Sequence, residues 1–493
     1  MEIRRKILIY TFVLVTLWGV NAQIPQPVKQ FVGSEKMKGA SFSLQVKDLE
    51  SGNILYSYDA DRELTPASVM KLVTTATALE LLGEETRFPT TLLYDGELKD
   101  GVLTGNLYIK GSGDPTLGSA HFAADRATYT YDQNEFMPEW LFAVKQAGIR
   151  KITGSVIADE SIFDTEGISP KWLVEDLGSY YGAGSYGLSV FDNILKVYLN
   201  TAAPGRSPVL ADTEPVIPSL RFHNYLVSSG NTTDSSYVIG FPYSEDRFLY
   251  GTVPANRQKY LLRGDIPDPP LFLAQYLYES LVKEGMKIEG EATNYRLLSL
   301  AGRWDPGKQT EIVTTYSPPL IDIIQIINER SHNLFADAVI KMLGLSYKPK
   351  PGEVVSSFGK GIKVIENYWK SEGLDLTHLH MADGSGLSVT NKLTAGFTCN
   401  LLLYMAKKSP YHESFRQTLP RAGIEGSVRN FLKGSSLQGN ARLKSGSMSA
   451  VKGYAGYITK GDKQYAVALF VNNYNCDGRE ITKEIEKLLL TLF

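Results

Sequence analysis

The chain has 493 residues, of which 43% are hydrophobic and 21% charged, and a formal net charge of −2. That length exceeds one ordinary domain and fits two or three, with apolar residues enough for a large core. Near-neutral charge gives no reason to expect nucleic acid or an anionic membrane surface as a partner.

The first element is a targeting segment. Arg4, Arg5 and Lys6 precede an apolar stretch from Ile7 to Val20, and Val20-Asn21-Ala22-Gln23 follows with small residues where a signal peptidase inspects. The pattern predicts a signal peptide over 1–22, with no transmembrane anchor after cleavage and an exported, periplasmic or envelope-associated mature chain. The rival reading is an uncleaved membrane anchor. The two cysteines, Cys399 and Cys476, are too far apart in sequence to infer a disulfide. Cys399 sits in an apolar stretch and reads as a buried thiol.

Next, Phe42, Leu44 and Val46 alternate with polar residues and a turn around Gly52 leads to Ile54-Leu55-Tyr56, which predicts a hairpin. Pro66-Ala67 opens an apolar helix through Leu82 with Gly83 as its C-cap. From about residue 88 to about 300, short strand-like runs alternate with Gly, Asp and Asn turns and long helical periodicity is scarce, which predicts a β-rich insertion. Helical patterning returns after Ser317-Pro318-Pro319, and the chain closes with strands around Tyr454–Tyr457 and Tyr465–Val471 and an amphipathic helix carrying Ile481, Ile485 and Leu489. The boundaries read are 23–87 and 301–493 for a domain built from both chain ends, with 88–300 inserted.

Three short motifs carry chemistry. Ser68-Val69-Met70-Lys71 places a serine and a lysine on one helix face, where a lysine of depressed pKa serves as base to the hydroxyl. The S-x-x-K pattern is cheap, for Ser280–Lys283, Ser357–Lys360 and Ser449–Lys452 also match it. Ser331-His332-Asn333 offers a second hydroxyl for proton relay and an amide to orient the lysine, although Ser331 also reads as a helix N-cap. Ser51-Gly52-Asn53 and Ser229-Gly230-Asn231 share the S-x-N form but look like glycine turns. Lys444-Ser445-Gly446, followed by Ser447, offers a cation and a hydroxyl to a carboxylate, with Gly446 allowing close approach of substrate backbone.

In that order, within an exported protein, the three motifs are the signature of serine penicillin-recognising enzymes. Pro66-Ala67-Ser68, Gly111-Ser112-Gly113-Asp114-Pro115, Asp383-Gly384-Ser385-Gly386-Leu387-Ser388 and Gly453-Tyr454-Ala455-Gly456-Tyr457 narrow it further. They resemble the three-domain (class C) penicillin-binding D-Ala-D-Ala carboxypeptidase/endopeptidase family. The resemblance implies an α/β (α+β) penicillin-recognising fold with β-rich inserted domains. It implies that Ser68 attacks the penultimate D-Ala carbonyl of peptidoglycan stem peptides, Lys71 takes its proton, and β-lactams acylate the same serine. Ser331 would relay a proton, Asn333 orient Lys71 and substrate, Lys444 and Ser445 hold the terminal carboxylate, and the Ser68 and Ser447 amides form the oxyanion hole. The segment ending on Asp159 resembles the family stretch whose aspartate binds the substrate's side-chain amine, and the alternative is that Asp159 closes a turn.

Two positions depart from the family pattern: His332 stands where Asp is usual, and Ser445 where Thr is usual. No metal or organic cofactor is implied. His378-Leu379-His380 lacks a third ligand at metal spacing. The alternatives are a β-lactamase, disfavoured by the long insertion, and a non-hydrolytic muropeptide- or β-lactam-binding sensor, disfavoured by the complete motif set.

Overall fold

The computed structural model describes residues 24–126 and 129–493; the expected signal peptide, 1–22, lies outside the described residues. The strand Lys463–Asn472 shows how the two chain ends join. Ala466, Ala468 and Phe470 face one core, while Val467, Leu469 and Val471 face another. Successive strand residues point to opposite faces, so an unbroken apolar run belongs to a strand covered on both sides.

This strand is the middle of a five-stranded sheet in the order Ile54–Tyr58, Ser41–Asp48, Lys463–Asn472, Val451–Lys460, Ala441–Met448. Every pairing in it is antiparallel. On one face, the terminal helix Gly478–Leu492 buries Ile481, Ile485, Leu488, Leu489 and Leu492, the stripe its sequence periodicity predicts. On the other lie the helices Lys71–Leu82, Leu320–Arg330, Asn333–Gly344, Ser357–Ser371 and Ala395–Lys407. Burying each large aliphatic side chain here contributes about 1.5–3 kcal/mol.

The helix Lys71–Leu82 is buried all round from Lys71 to Leu79, which fits its near-continuous apolar sequence. Its polar members are bonded within that core. Thr74 donates to the Gly384 carbonyl at 2.8 Å, and Thr77 donates to the Val73 carbonyl while accepting from the Trp369 indole. Gly83, at φ 82°, ends the helix as expected. Cys399 and Cys476 are both free thiols, and burial pushes the Cys399 thiol up to about 12.

Between these ends, a second five-stranded sheet runs Ala292–Asn294, Val156–Asp159, Leu107–Lys110, Pro89–Tyr94, Thr310–Tyr316. It takes in Thr310–Tyr316, beyond residue 300. The stretch also holds more helix than its sequence texture suggests: Phe136–Gln146 and the 15-residue Pro269–Lys283 supply Phe136, Trp140, Phe272, Leu273 and Leu277 to its core. The second of these starts on Asp268, whose side chain accepts from the Leu271 amide, with proline in the first turn where no N–H is needed.

Candidate active site

Ser68 lies in the single 3₁₀ turn Ala67–Met70 that feeds the helix Lys71–Leu82. Ala67 has a left-handed φ of 46°, and its carbonyl and that of Pro66 are closely covered by two glycines. A β-carbon on Gly446 would lie 2.4 Å from the Pro66 oxygen and 3.1 Å from the Ser68 nitrogen. One on Gly386 would lie 2.0 Å from the Ala67 oxygen. Gly446 is therefore required by the protein's own packing, the strand Ala441–Met448 against the serine turn. This packing is a second reason for glycine there, beside the expected room for substrate backbone.

Lys71 is fully buried, and its Nζ sits 2.9 Å from Ser68 Oγ, 2.6 Å from Asn333 Oδ1 and 2.5 Å from the Ser385 carbonyl oxygen. Burial lowers its pKa to about 8, against the opposing pull of Asp337 and Asp383. On the far side of the cluster, Lys444 is equally buried and donates to Ser331 Oγ at 2.9 Å and to the Ser445 carbonyl at 2.7 Å. Burial and the nearby Lys71 charge hold its pKa well below the usual lysine range. Of the four S-x-x-K matches, only Ser68 is hydrogen-bonded by its own lysine among the described residues. Ser280 donates to the Tyr276 carbonyl within its helix, Ser357 accepts from the Asp164 amide, and Lys452 reaches Ser447 instead of Ser449.

The S-x-N segment differs locally from its sequence reading. Ser331 is the left-handed C-cap of Leu320–Arg330, at φ 60°. His332 is the N-cap of Asn333–Gly344, accepting from the Phe335 amide through Nδ1 at 3.4 Å. The N-cap reading of Ser331 thus falls, since the chain turns sharply between two helices and its hydroxyl is left to face Lys444.

Asp337 and the loop Asp383–Gly386 complete the arrangement, and neither was assigned a part from the sequence. Asp337 Oδ1 accepts from the Gly384 and Ser385 amides at 2.9 Å each, fixing the carbonyl that meets Lys71. Burial and Asp383 raise its pKa to about 7. Asp383 accepts from the Gly386 and Ser388 amides, the Asn391 amide side chain and the Trp172 indole. The D-G-S-G text was visible in the sequence, but the partnership with Asp337 needed the fold.

A cleft of about 890 Å³ opens on these groups, lined by Ser68, Ser331, Asn333, Ser447, Glu175 and Tyr181 among others. Ser447 Oγ accepts from Lys452 at 2.8 Å, and Ser445 donates to Ser427 at 2.8 Å. Asp159 does not line this cleft. It ends the strand Val156–Asp159, is 5% exposed, and accepts from the Ser161 amide at 3.1 Å. The turn-closing alternative describes it, and the acidic residues facing the cleft are Glu63, Glu175 and Asp176. His378 and His380 both face Glu63, at 2.8 and 3.5 Å.

Comparison with known proteins gives consistent matches. The profile of the D-Ala-D-Ala carboxypeptidase 3 (S13) family covers residues 25–492. The chain is 26% identical over 472 residues to a D-alanyl-D-alanine carboxypeptidase of Actinomadura sp. (strain R39), covering 92% of this chain and 81% of that one. It is 23% identical over 448 residues to the D-alanyl-D-alanine carboxypeptidase DacB of Haemophilus influenzae, covering 90% and 88%. The crystal structure of penicillin binding protein 4 from Haemophilus influenzae superposes with a TM-score of 0.78 at 22% identity, over 94% of this chain and 99% of that chain, and shares its fold. A second structure of that protein, complexed with a β-lactam, superposes with a TM-score of 0.73 at 21% identity, over 94% and 98%.

Proposed function

The chain belongs to the D-Ala-D-Ala carboxypeptidase 3 (S13) family and is a serine-type D-Ala-D-Ala carboxypeptidase; from that premise we propose how its residues divide the reaction. Ser68 is the nucleophile and Lys71 its base. Ser68 Oγ bonds to the carbonyl carbon of the penultimate D-Ala, and its proton passes to the neutral Lys71 amine. The Ser68 and Ser447 amides receive the developing oxyanion, a contribution of about 3–4 kcal/mol for each donor. As the carbon–nitrogen bond breaks, Ser331 passes a proton to the departing D-Ala amine and is reprotonated by Lys71, which returns to its neutral form. Water then attacks the acyl-enzyme, and Lys71 again takes the proton.

The observation that carries this reading is the position of Lys71 Nζ, between Ser68 Oγ and Asn333 Oδ1 in a buried setting that lowers its pKa to about 8. At neutral pH roughly a tenth of the molecules then hold the neutral amine, enough for general base catalysis. Lys444 donates to Ser331 and, with the Ser445 hydroxyl, offers hydrogen bonds to the substrate's terminal carboxylate. Gly446 keeps that strand close to Ser68.

The substrate is a peptidoglycan stem peptide, and β-lactams acylate Ser68, in line with the β-lactam complex of the Haemophilus protein. Glu175 and Asp176, not Asp159, take the part of pairing with a substrate side-chain amine, because they line the cleft. The enzyme acts outside the cytoplasm, after loss of the signal peptide; no helix among the described residues is long and apolar enough to cross a membrane. The insertion between the first two motifs forms the cleft's outer wall through Leu173, Glu175, Asp176 and Tyr181.

Tryptic mapping of a penicillin adduct, with mass spectrometry of products released from peptidoglycan, tests the proposal. The adduct is expected on the Ser68 peptide, with free D-Ala released. An adduct on Ser280, Ser357 or Ser449 overturns the assignment, and cleaved cross-links in the product add endopeptidase activity.

A further inference from the structure

We propose that His121, Asp192 and His332 form a binding site for one zinc-class divalent cation, joining the insertion to the catalytic segment Ser331–Asn333. The three residues come from distant parts of the chain, and one ligand atom from each lies within 4.8 Å of the others. Two imidazoles and one carboxylate form a donor set suited to zinc or cobalt, with a fourth position for water, and unsuited to the all-oxygen preference of calcium or magnesium.

Asp192 carries the argument. It is 5% exposed, and among the described residues its Oδ1 has no hydrogen-bond partner. A buried carboxylate oxygen left unpaired is costly, and a coordinated cation removes that cost. Burial raises the Asp192 carboxyl above its usual range, against the opposing pull of His121, the Ser119 hydroxyl and the Ala120 amide. His332 Nε2 lies 3.7 Å from Asp192 Oδ1, too far for a hydrogen bond. Two ligands of a tetrahedral zinc ion stand about 3.4 Å apart, so this pair is near ligand spacing. The His121 ring meets the His332 ring edge-on with centroids 5.0 Å apart, and His121 moves inward to complete the set.

Loading this site also reaches the catalytic cluster. His332 Nδ1 now accepts from the Phe335 amide at 3.4 Å, which requires the neutral ring to hold its proton on Nε2. A cation on Nε2 transfers that proton to Nδ1 and releases the capping bond. The helix it caps begins at Asn333, the residue that holds Lys71. The site does not rest on the assignment of Ser68, because binding is read without turnover.

Titration of the chelator-treated full mature chain with Co²⁺, followed by the visible absorption of four-coordinate cobalt, tests the site. Zn²⁺ stoichiometry by elemental analysis accompanies it. One equivalent is expected at about micromolar concentration, with affinity falling tenfold or more in His121→Gln and in Asp192→Asn and staying unchanged in His378→Ala. Should Asp192→Asn melt early, His121→Gln, at a partly buried position, decides alone, its fold checked by penicillin labelling. No stoichiometric uptake, or uptake equal in wild type and His121→Gln, overturns the site. Loss in His378→Ala instead moves the ion to Glu63 and overturns it as well.

Discussion

Asn333 donates through Nδ2 to the Tyr181 carbonyl at 2.8 Å, so a residue of the insertion fixes the amide whose oxygen meets Lys71. Asn333→Ala removes both bonds, leaving Lys71 one acceptor short. The second-order rate of penicillin acylation is expected to fall a hundredfold or more, on the scale of one to two charge-assisted contacts of about 1.5–3 kcal/mol each. Stopped-flow kinetics with a fluorescent penicillin measures it.

The pH dependence follows from Lys71. Its folded pKa is lowered to about 8 by burial, so the reactive neutral amine is lost as pH falls through that value. Acylation is expected to drop about tenfold for each pH unit below it and to level off above. Lys71→Arg, which stays protonated, is expected to be nearly inactive at every pH. A flat profile between pH 6 and 8, or substantial activity in Lys71→Arg, would remove Lys71 as the base.

Gly446→Ala tests the packing of the serine turn. The added methyl meets the Pro66 carbonyl at 2.4 Å, and backbone on both sides leaves little room to relax. A loss of about 1–3 kcal/mol of stability is expected, together with slower acylation because Ser68 is displaced. Thermal melts and acylation rates on the same sample check both. An unchanged melt would show that the strand moves freely against the turn.

Substrate selection separates Glu175 from Asp159. Glu175→Gln is expected to reduce turnover of peptides bearing a free side-chain amine by roughly tenfold or more, a contact of about 1.5–3 kcal/mol. Penicillin, which lacks that amine, is expected to react nearly as before. Asp159→Asn is expected to leave the preference between amine-bearing and amine-blocked peptides intact. Equal losses on both substrates in Glu175→Gln would assign it a structural part.

What the sequence made legible was local chemistry in its correct order. Ser68 and Lys71 share a helix face by spacing alone, and the unbroken apolar run Tyr465–Val471 marks a strand buried on both sides. The groups that surround Lys71 were out of reach because they are joined only by tertiary contact. Nothing in spacing links Asp337 to the Gly384 and Ser385 amides, or Tyr181 to Asn333. Asp159 sits in a turn outside the residues lining the cleft, and a strand-end aspartate reads the same in sequence in either setting. The helix Pro269–Lys283 was hidden by its double-proline start and by buried residues spread over a wide face. His332 was seen as a lost negative charge, whereas the fold makes it the cap of the helix that follows.

The pairing of Ser41–Asp48 with Lys463–Asn472 has a consequence for how the enzyme comes into being. Contacts of such long sequence separation close slowly, and strands formed early present an open edge until their partner arrives. The Ser68 turn is among the first parts to be synthesised, while Lys444 and the strands Ala441–Met448, Val451–Lys460 and Lys463–Asn472 are among the last. The reactive cluster therefore assembles only after nearly the whole polypeptide has emerged. A nascent or clipped chain carries Ser68 without its neighbours and is chemically inert, so catalytic competence doubles as a report that folding has finished.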